Sequence, residues 1–136
     1  MKLVKLLATV ALVKLLVPAA SAALAPALFT AQQVGGGEAV FQQYCASCHG
    51  SELQGGAGPS LVSQKFLGSG PATTLGSLFT FMSTQMPMGM PGKLSSSQYE
   101  NVMAFILTKN GYPTGNRMLQ YDVAKLSKER LRSVVR

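Results

Sequence analysis

The feature that most constrains this chain is the run YCASCHG, from Tyr44 to Gly50. It holds both cysteines of the 136-residue chain, Cys45 and Cys48, and its only histidine, His49. Because residues three apart share one face of a helix, both thiols can reach one side while the next residue presents its imidazole. A C-x-x-C-H run is typical of covalent haem attachment. We therefore predict one haem c, bound through thioethers at Cys45 and Cys48, with His49 turned towards the iron.

Two other uses of a C-x-x-C pair fit this chain less well. A redox disulfide normally follows a strand in a βαβ unit, and no such pattern surrounds the motif. A structural zinc site needs four protein ligands, and Cys45, Cys48 and His49 supply three with no further cysteine or histidine in the chain.

The first 22 residues resemble a secretory signal peptide. They begin with Lys2 and Lys5, continue as an apolar run and end in Ala20-Ser21-Ala22. We predict export to the periplasm and cleavage after Ala22. The alternative is a retained membrane anchor, although Lys14 interrupts a run that is already short for a span of about 20 residues.

The excess of positive charge lies at the two ends of the chain. The formal net charge of +7 falls to +4 once the three lysines of residues 1–22 are removed. Residues 23–112 carry three lysines and three glutamates, whereas residues 113–136 carry six basic and two acidic residues. The neutral body argues against nucleic-acid binding, for which basic residues line one face of the domain. The basic tail is either a steering element for an acidic partner or a solvated charged segment.

The pattern of apolar residues, prolines and glycines predicts an all-α fold. No segment shows the period-two alternation of a strand, while apolar residues recur at helical spacing over EAVFQQYCASC and in two later segments. We expect three to four helices around the haem and a tail helix. The predicted divisions are a signal peptide (1–22), a linker (23–35), a haem domain (36–112) and a basic extension (113–136).

Three local signals place the later helices. The segment at about 73–84 is helical in pattern, and Pro87 and Pro91 end it. Ser95 is a candidate N-cap, with Gln98 completing a capping box for the strongest helix. The tail has a weaker amphipathic pattern, formed by Val123, Leu126, Leu131 and Val134.

Three methionines lie in the proline-constrained loop, at Met86, Met88 and Met90. Because His49 is the only histidine, a second histidine ligand from the same chain is excluded, and a methionine sulfur is the expected sixth ligand. Two alternatives are that methionines serve as flexible core filler or bind Cu(I) through soft thioethers.

Taken in order, these motifs resemble those of class I c-type cytochromes over residues 36–112. The opening G-x-x-x-F-x-x-x-C-x-x-C-H runs from Gly37 to His49, and Gly58-Pro59-x-Leu61 follows it. Met86-Pro87 is similar to the family's axial Met-Pro pair. The closing pattern Y-x-x-x-x-A-[FY]-x-L is matched by Tyr99, Ala104, Phe105 and Leu107.

The resemblance assigns roles residue by residue. It implies covalent haem binding by Cys45 and Cys48, proximal ligation by His49 and distal ligation by Met86. It further implies that the Pro59 carbonyl accepts a hydrogen bond from the other His49 nitrogen, which orients the ring. Gly37 and Phe41 are implied to cross the closing helix near Phe105.

One subgroup is closer still. The segment MPMGMPGKL, the closing helix and the following NGYPTG are similar to the cytochrome domains associated with quinoprotein alcohol dehydrogenases. Because methionine recurs every two residues in Met-Pro-Met-Gly-Met, the resemblance leaves open whether the distal ligand is Met86 or Met88.

The expected function is electron transfer and not catalysis, because the sole histidine is committed to iron and no carboxylate cluster is present. The resemblance implies a periplasmic carrier between a donor dehydrogenase and an acceptor oxidase or cytochrome. Two alternatives remain: a five-coordinate haem sensor or peroxidase, or the haem subunit of a larger membrane-bound oxidoreductase that retains the first segment as an anchor.

Overall fold

The computed structural model describes residues 25–62, 66–67 and 73–132. Within these ranges the chain is helical, and its β pairing is limited to an isolated bridge between Thr74 and Arg130. The described helices, in chain order, are α1 (Ala31–Tyr44), α2 (Ala46–His49), α3 (Leu75–Gln85), α4 (Ser96–Lys109) and α5 (Tyr121–Leu126). The all-α prediction is confirmed. The predicted signal peptide lies outside the described residues.

Helix α1 begins earlier than the sequence predicted. Thr30 is its N-cap and forms a reciprocal capping box with Gln33, so the helix includes residues 31–35, ahead of the helical pattern that the sequence shows from Glu38. Three consecutive glycines, 35–37, therefore lie inside a helix, although each costs about 1 kcal/mol relative to alanine. The cap at the start of the helix and tertiary packing further along it offset this local cost.

The predicted crossing of the first and last helices of the domain is confirmed. Gly37 on α1 lies against the backbone of Asn101 on α4, so closely that there is no room for a side chain at position 37. One turn further along, the rings of Phe41 and Phe105 pack with centroids 5.3 Å apart and a 50° tilt. Both rings are buried, and each such side chain contributes about 1.5–3 kcal/mol through burial.

Helices α3 and α4 begin with the same capping device. Thr74 caps α3 through Ser77, and Ser95 caps α4 through Gln98, as the sequence predicted for the second of these. Helix α3 ends at Gln85, and the amide of its C-cap residue, Met86, donates to the Met82 carbonyl at 3.0 Å. The loop carrying the three candidate methionines thus starts at a defined helix end.

The described part of the C-terminal tail packs only partly as predicted, because Leu131 is buried but two other residues of the apolar pattern are exposed. Helix α5 is only six residues long, and the predicted apolar residues Val123 and Leu126 are 61% and 78% exposed. The buried tail residues are Leu119, Ala124 and Leu131. Val134 lies outside the described residues.

Backbone contacts attach this tail to both sides of the domain. Gln33 of α1 is buried, and its amide group both donates to and accepts from the backbone of Leu119, at 2.8 and 2.9 Å. At the other side, the first amides of α3, those of Leu75 and Gly76, donate to the carbonyls of Glu129 and Ser127 at 2.8 and 3.1 Å. The tail therefore supplies hydrogen-bond partners that a helix N-terminus otherwise lacks.

In the part of the chain that the structure describes, none of the helices is both long enough and apolar enough to cross a membrane.

Candidate functional site

The C-x-x-C-H segment lies at a break between two helices. Helix α1 ends at Cys45, whose φ of −122° leaves the helical range, and α2 adds one turn that finishes at His49. The His49 amide donates to the Cys45 carbonyl at 3.0 Å, which closes the segment into a tight turn. Both cysteines are free thiols; Cys45 is half-buried and Cys48 is exposed. The turn therefore presents two unpaired thiols and one imidazole close together.

Burial acts on the first thiol. Loss of solvent around Cys45, the larger cause, and the neighbouring charge of Cys48 together raise the pKa of the Cys45 thiol to about 11. A raised pKa keeps a cysteine in its thiol form at neutral pH. Before haem is attached, Cys45 is thus a protonated thiol.

The His49 ring is buried and has a defined orientation. Its Nδ1 lies 2.8 Å from the Pro59 carbonyl oxygen, the pair that the resemblance links. Because a carbonyl only accepts, Nδ1 carries the proton and donates, which leaves the lone pair on Nε2. This is the tautomer that a metal-binding imidazole adopts when its other nitrogen is hydrogen-bonded to a carbonyl.

The loop after the motif folds over this imidazole. The Gly58 amide donates to the Cys48 carbonyl at 2.8 Å, and the Gly55 amide donates to the His49 carbonyl at 2.7 Å. A Cβ at position 58 would lie 3.0 Å from His49 Cε1 and 3.1 Å from Nδ1. Only glycine lets the loop approach the ring this closely without displacing it.

These residues fit a covalently held haem. Two free thiols at the required spacing, an imidazole with its Nε2 lone pair available and a buried second nitrogen held by a carbonyl are the donor set that the group needs. The fit rests on the chemistry of the residues present and on the orientation of the His49 ring.

The candidate methionines differ in their surroundings. Met86 is half-buried and packs against the hydrophobic core, and Pro87 beside it is buried. Met88 and Met90 are 81% and 47% exposed. The Met86 carbonyl accepts a hydrogen bond of 2.7 Å from the hydroxyl of Tyr99 on α4. Of the three, Met86 is the one attached to the folded body.

Sequence reasoning missed the hydrogen bonds of two polar side chains and one steric contact around the site. Tyr99 was predicted only as an apolar residue of the closing helix, yet its hydroxyl is bonded to Met86. Asn110 was considered only as part of the NGYPTG motif, yet its side-chain amide donates at 2.8 Å to the carbonyls of Leu61 and Ile106. Gly58 was assigned to a motif without its role against the imidazole. The sequence offered one signal for the Tyr99 contact: a tyrosine on a buried helix face needs a hydrogen-bond partner for its hydroxyl.

The helical fold and the C-x-x-C-H site define a class I c-type cytochrome domain, whose cofactor is haem c attached through Cys45 and Cys48. Comparison with known families agrees. Residues 32–106, more than half of the chain, match the family model described as cytochrome C oxidase, cbb3-type, subunit III. The chain belongs to this family of cytochrome c domains, and its general role is electron transfer.

A solved structure gives the same result. The chain is similar to one in the crystal structure of the sulfane dehydrogenase SoxCD from Paracoccus pantotrophus, with 26% sequence identity and a TM-score of 0.53. The similarity covers 68% of this chain and 50% of that chain, so it spans about half the length of that relative. No curated protein matches the chain.

Proposed function

We propose that this chain is a periplasmic carrier of single electrons between a donor dehydrogenase and a downstream acceptor such as a terminal oxidase or another cytochrome, and that His49 and Met86 would hold the iron of its haem. The haem, when bound, supplies an iron centre that gains or loses one electron. In each cycle the donor is oxidised by one electron and the acceptor is reduced by one.

The environment of Met86 carries this proposal. Its half-buried side chain, its packing against the core and its hydrogen-bonded carbonyl distinguish it from Met88 and Met90, which are largely solvated. A methionine on an ordered segment would occupy the remaining iron position and so leave no site for a substrate. Methionine with histidine also raises the reduction potential, as suits a carrier.

The chain's other residues hold this centre in place. Cys45 and Cys48 bind the haem edge, and the hydrogen bond from His49 Nδ1 to Pro59 fixes the ring and raises its basicity as a ligand. Fixed ligands favour electron transfer because the centre reorganises little when its charge changes.

The expected partner surface surrounds the Met86–Gly92 loop. Met88 and Met90 expose apolar side chains there, and Phe81 on α3 is 54% exposed. Exposed apolar residues of this kind are typical of protein–protein contacts. The basic tail adds exposed Lys125 and Lys128, which favour association with an acidic partner at low salt.

The relatives support a partnership with an oxidoreductase. One is named as a dehydrogenase, and the matching family model is named for a subunit of an oxidase. The word subunit in the name of the family model is also compatible with the second candidate, a haem subunit of a larger oxidoreductase that retains the first segment as an anchor. N-terminal sequencing of the mature protein separates the two, because a start at Ala23 indicates cleavage and a start at Met1 indicates a retained anchor.

The visible spectrum of the oxidised holoprotein tests the proposal. A weak far-red band from iron–sulfur charge transfer is expected, and it should be lost in Met86→Ala. The matched control is Met88→Ala, in the same loop but exposed, which should keep the band. Loss of the band in Met88→Ala alone would show that the ligand is Met88 and not Met86. Absence of the band from the native protein would favour the five-coordinate sensor or peroxidase.

A further inference from the structure

Tyr99 connects the closing helix to the candidate ligand segment. It lies in the first turn of α4, directly after the Ser95–Gln98 capping box, and is 2% exposed. Its hydroxyl donates to the Met86 carbonyl at 2.7 Å. The capping box fixes the start of the helix, so the position of this hydroxyl is set by α4 and not by the loop it contacts.

Met86 is consequently held on both sides of its Cα atom. Its amide donates to Met82 within α3, and its carbonyl accepts from Tyr99 on α4. The next residue, Pro87, has no amide hydrogen with which to hold the segment. Beyond it, the side chains of Met88 and Met90 are exposed. The Tyr99 hydroxyl thus forms a tertiary hydrogen bond at the start of the loop that follows α3.

We propose that Tyr99 is the positioning residue for Met86: its hydrogen bond holds the methionine segment in place, so that outside ligands displace the sulfur from iron less readily. This inference rests on the proposed ligation by Met86. On this proposal an added ligand competes with Met86, and the segment is easier to displace when this hydrogen bond is absent. A hydrogen bond between neutral groups contributes about 1 kcal/mol net, so its removal should tighten binding of an added ligand about fivefold.

Tyr112 offers a matched control in the same molecule. It is 3% exposed, and its hydroxyl also bonds to backbone, accepting from the Arg132 amide at 2.9 Å. That contact joins the end of α4 to the tail and does not involve Met86. Replacing either tyrosine by phenylalanine removes one hydroxyl from a buried ring. Tyr112→Phe leaves the Arg132 amide without that partner, whereas Tyr99→Phe affects the Met86 carbonyl and the backbone of Gly92 and Leu94.

The experiment is a titration of the oxidised holoprotein with imidazole, followed through the far-red band, for the native chain, Tyr99→Phe and Tyr112→Phe. Tyr99→Phe should bind imidazole about fivefold more tightly, and Tyr112→Phe should bind as the native protein does. Thermal unfolding of both variants gives the general cost of a lost buried hydroxyl. Equal imidazole affinities in Tyr99→Phe and the native protein would overturn the inference, as would an equal shift in both variants.

Met86→Ala separates this failure from failure of the proposed function. If Met86 is the ligand, Met86→Ala lacks the band and binds imidazole far more tightly than the native chain. If that holds while Tyr99→Phe is unchanged, only the role of Tyr99 is wrong. If Met86→Ala keeps the native band and affinity, the ligand assignment itself is wrong and the inference fails with it.

Discussion

Gly37 on α1 contacts the backbone carbonyl of Asn101 on α4 so closely that a Cβ atom at position 37 would overlap that oxygen and lie 2.9 Å from the Phe105 Cβ. The carbonyl belongs to helix backbone and cannot rotate away. The contact explains why one glycine of the 35–37 run is kept inside a helix.

Gly37→Ala should therefore destabilise the holoprotein by at least about 1–3 kcal/mol, the usual cost of overpacking. Gly35→Ala is the matched control, because no atom lies within 4 Å of its added Cβ. That change should instead stabilise by up to about 1 kcal/mol through helix propensity. Chemical denaturation of the two variants checks the pair, and equal effects of the two substitutions would contradict the close crossing.

A second prediction concerns the proximal side. In Gly58→Ala the added Cβ meets the imidazole at 3.0 Å, so we expect the ring to tilt and its hydrogen bond to Pro59 to lengthen. A weaker bond makes His49 a less basic ligand, which stabilises oxidised iron less and raises the reduction potential. Spectroelectrochemistry measures this change. Gly56→Ala, whose Cβ would meet only the Cys48 carbonyl at 3.2 Å, should leave the potential nearer the native value.

The parts of the fold that local sequence determines were predictable. The capping box at Ser95 and the spacing of Cys45, Cys48 and His49 are short-range patterns with a direct physical meaning, and the structure agrees on the helices they indicate. The crossing of Gly37 with the closing helix came from the family resemblance and not from periodicity.

The parts that depend on distant contacts were not predictable. The run of three glycines suggested that α1 starts after it. The contacts that compensate for these glycines come from α4, more than fifty positions away, and no local pattern reveals them. The Gln33–Leu119 pair is separated by 86 residues. In the tail, the weak amphipathic pattern included Leu126, but Leu126 is exposed and Ala124 is buried. Small residues are uninformative in a hydrophobicity pattern, although close packing selects them.

A third prediction concerns the tail as a cap for α3. A chain ending at Leu126 loses the carbonyls of Ser127 and Glu129, so the amides of Gly76 and Leu75 should lose protection from hydrogen exchange. The Ser77 amide is an internal control, because its acceptor is the Thr74 hydroxyl within the same helix start. Unchanged exchange at Leu75 and Gly76 would show that the tail does not serve as the cap in solution.

The last prediction is a decline in stability at alkaline pH that depends on two tyrosines. Burial, the largest cause, raises the pKa values of Tyr99 and Tyr112 above the ordinary 10. The folded state therefore holds each phenolic proton more tightly than the unfolded state does. Their contribution to the free energy of unfolding is complete below about pH 10 and is lost as the pH rises through the folded-state pKa values.

Denaturant titrations between about pH 8 and about pH 11 should show this decline in the native holoprotein. Tyr99→Phe and Tyr112→Phe should each be less stable at neutral pH, where a hydrogen bond is missing, but should lose less stability on going to high pH, where one ionisation is missing. The double variant should show the smallest change with pH. Parallel curves for the native chain and both variants would mean that other groups control the alkaline transition.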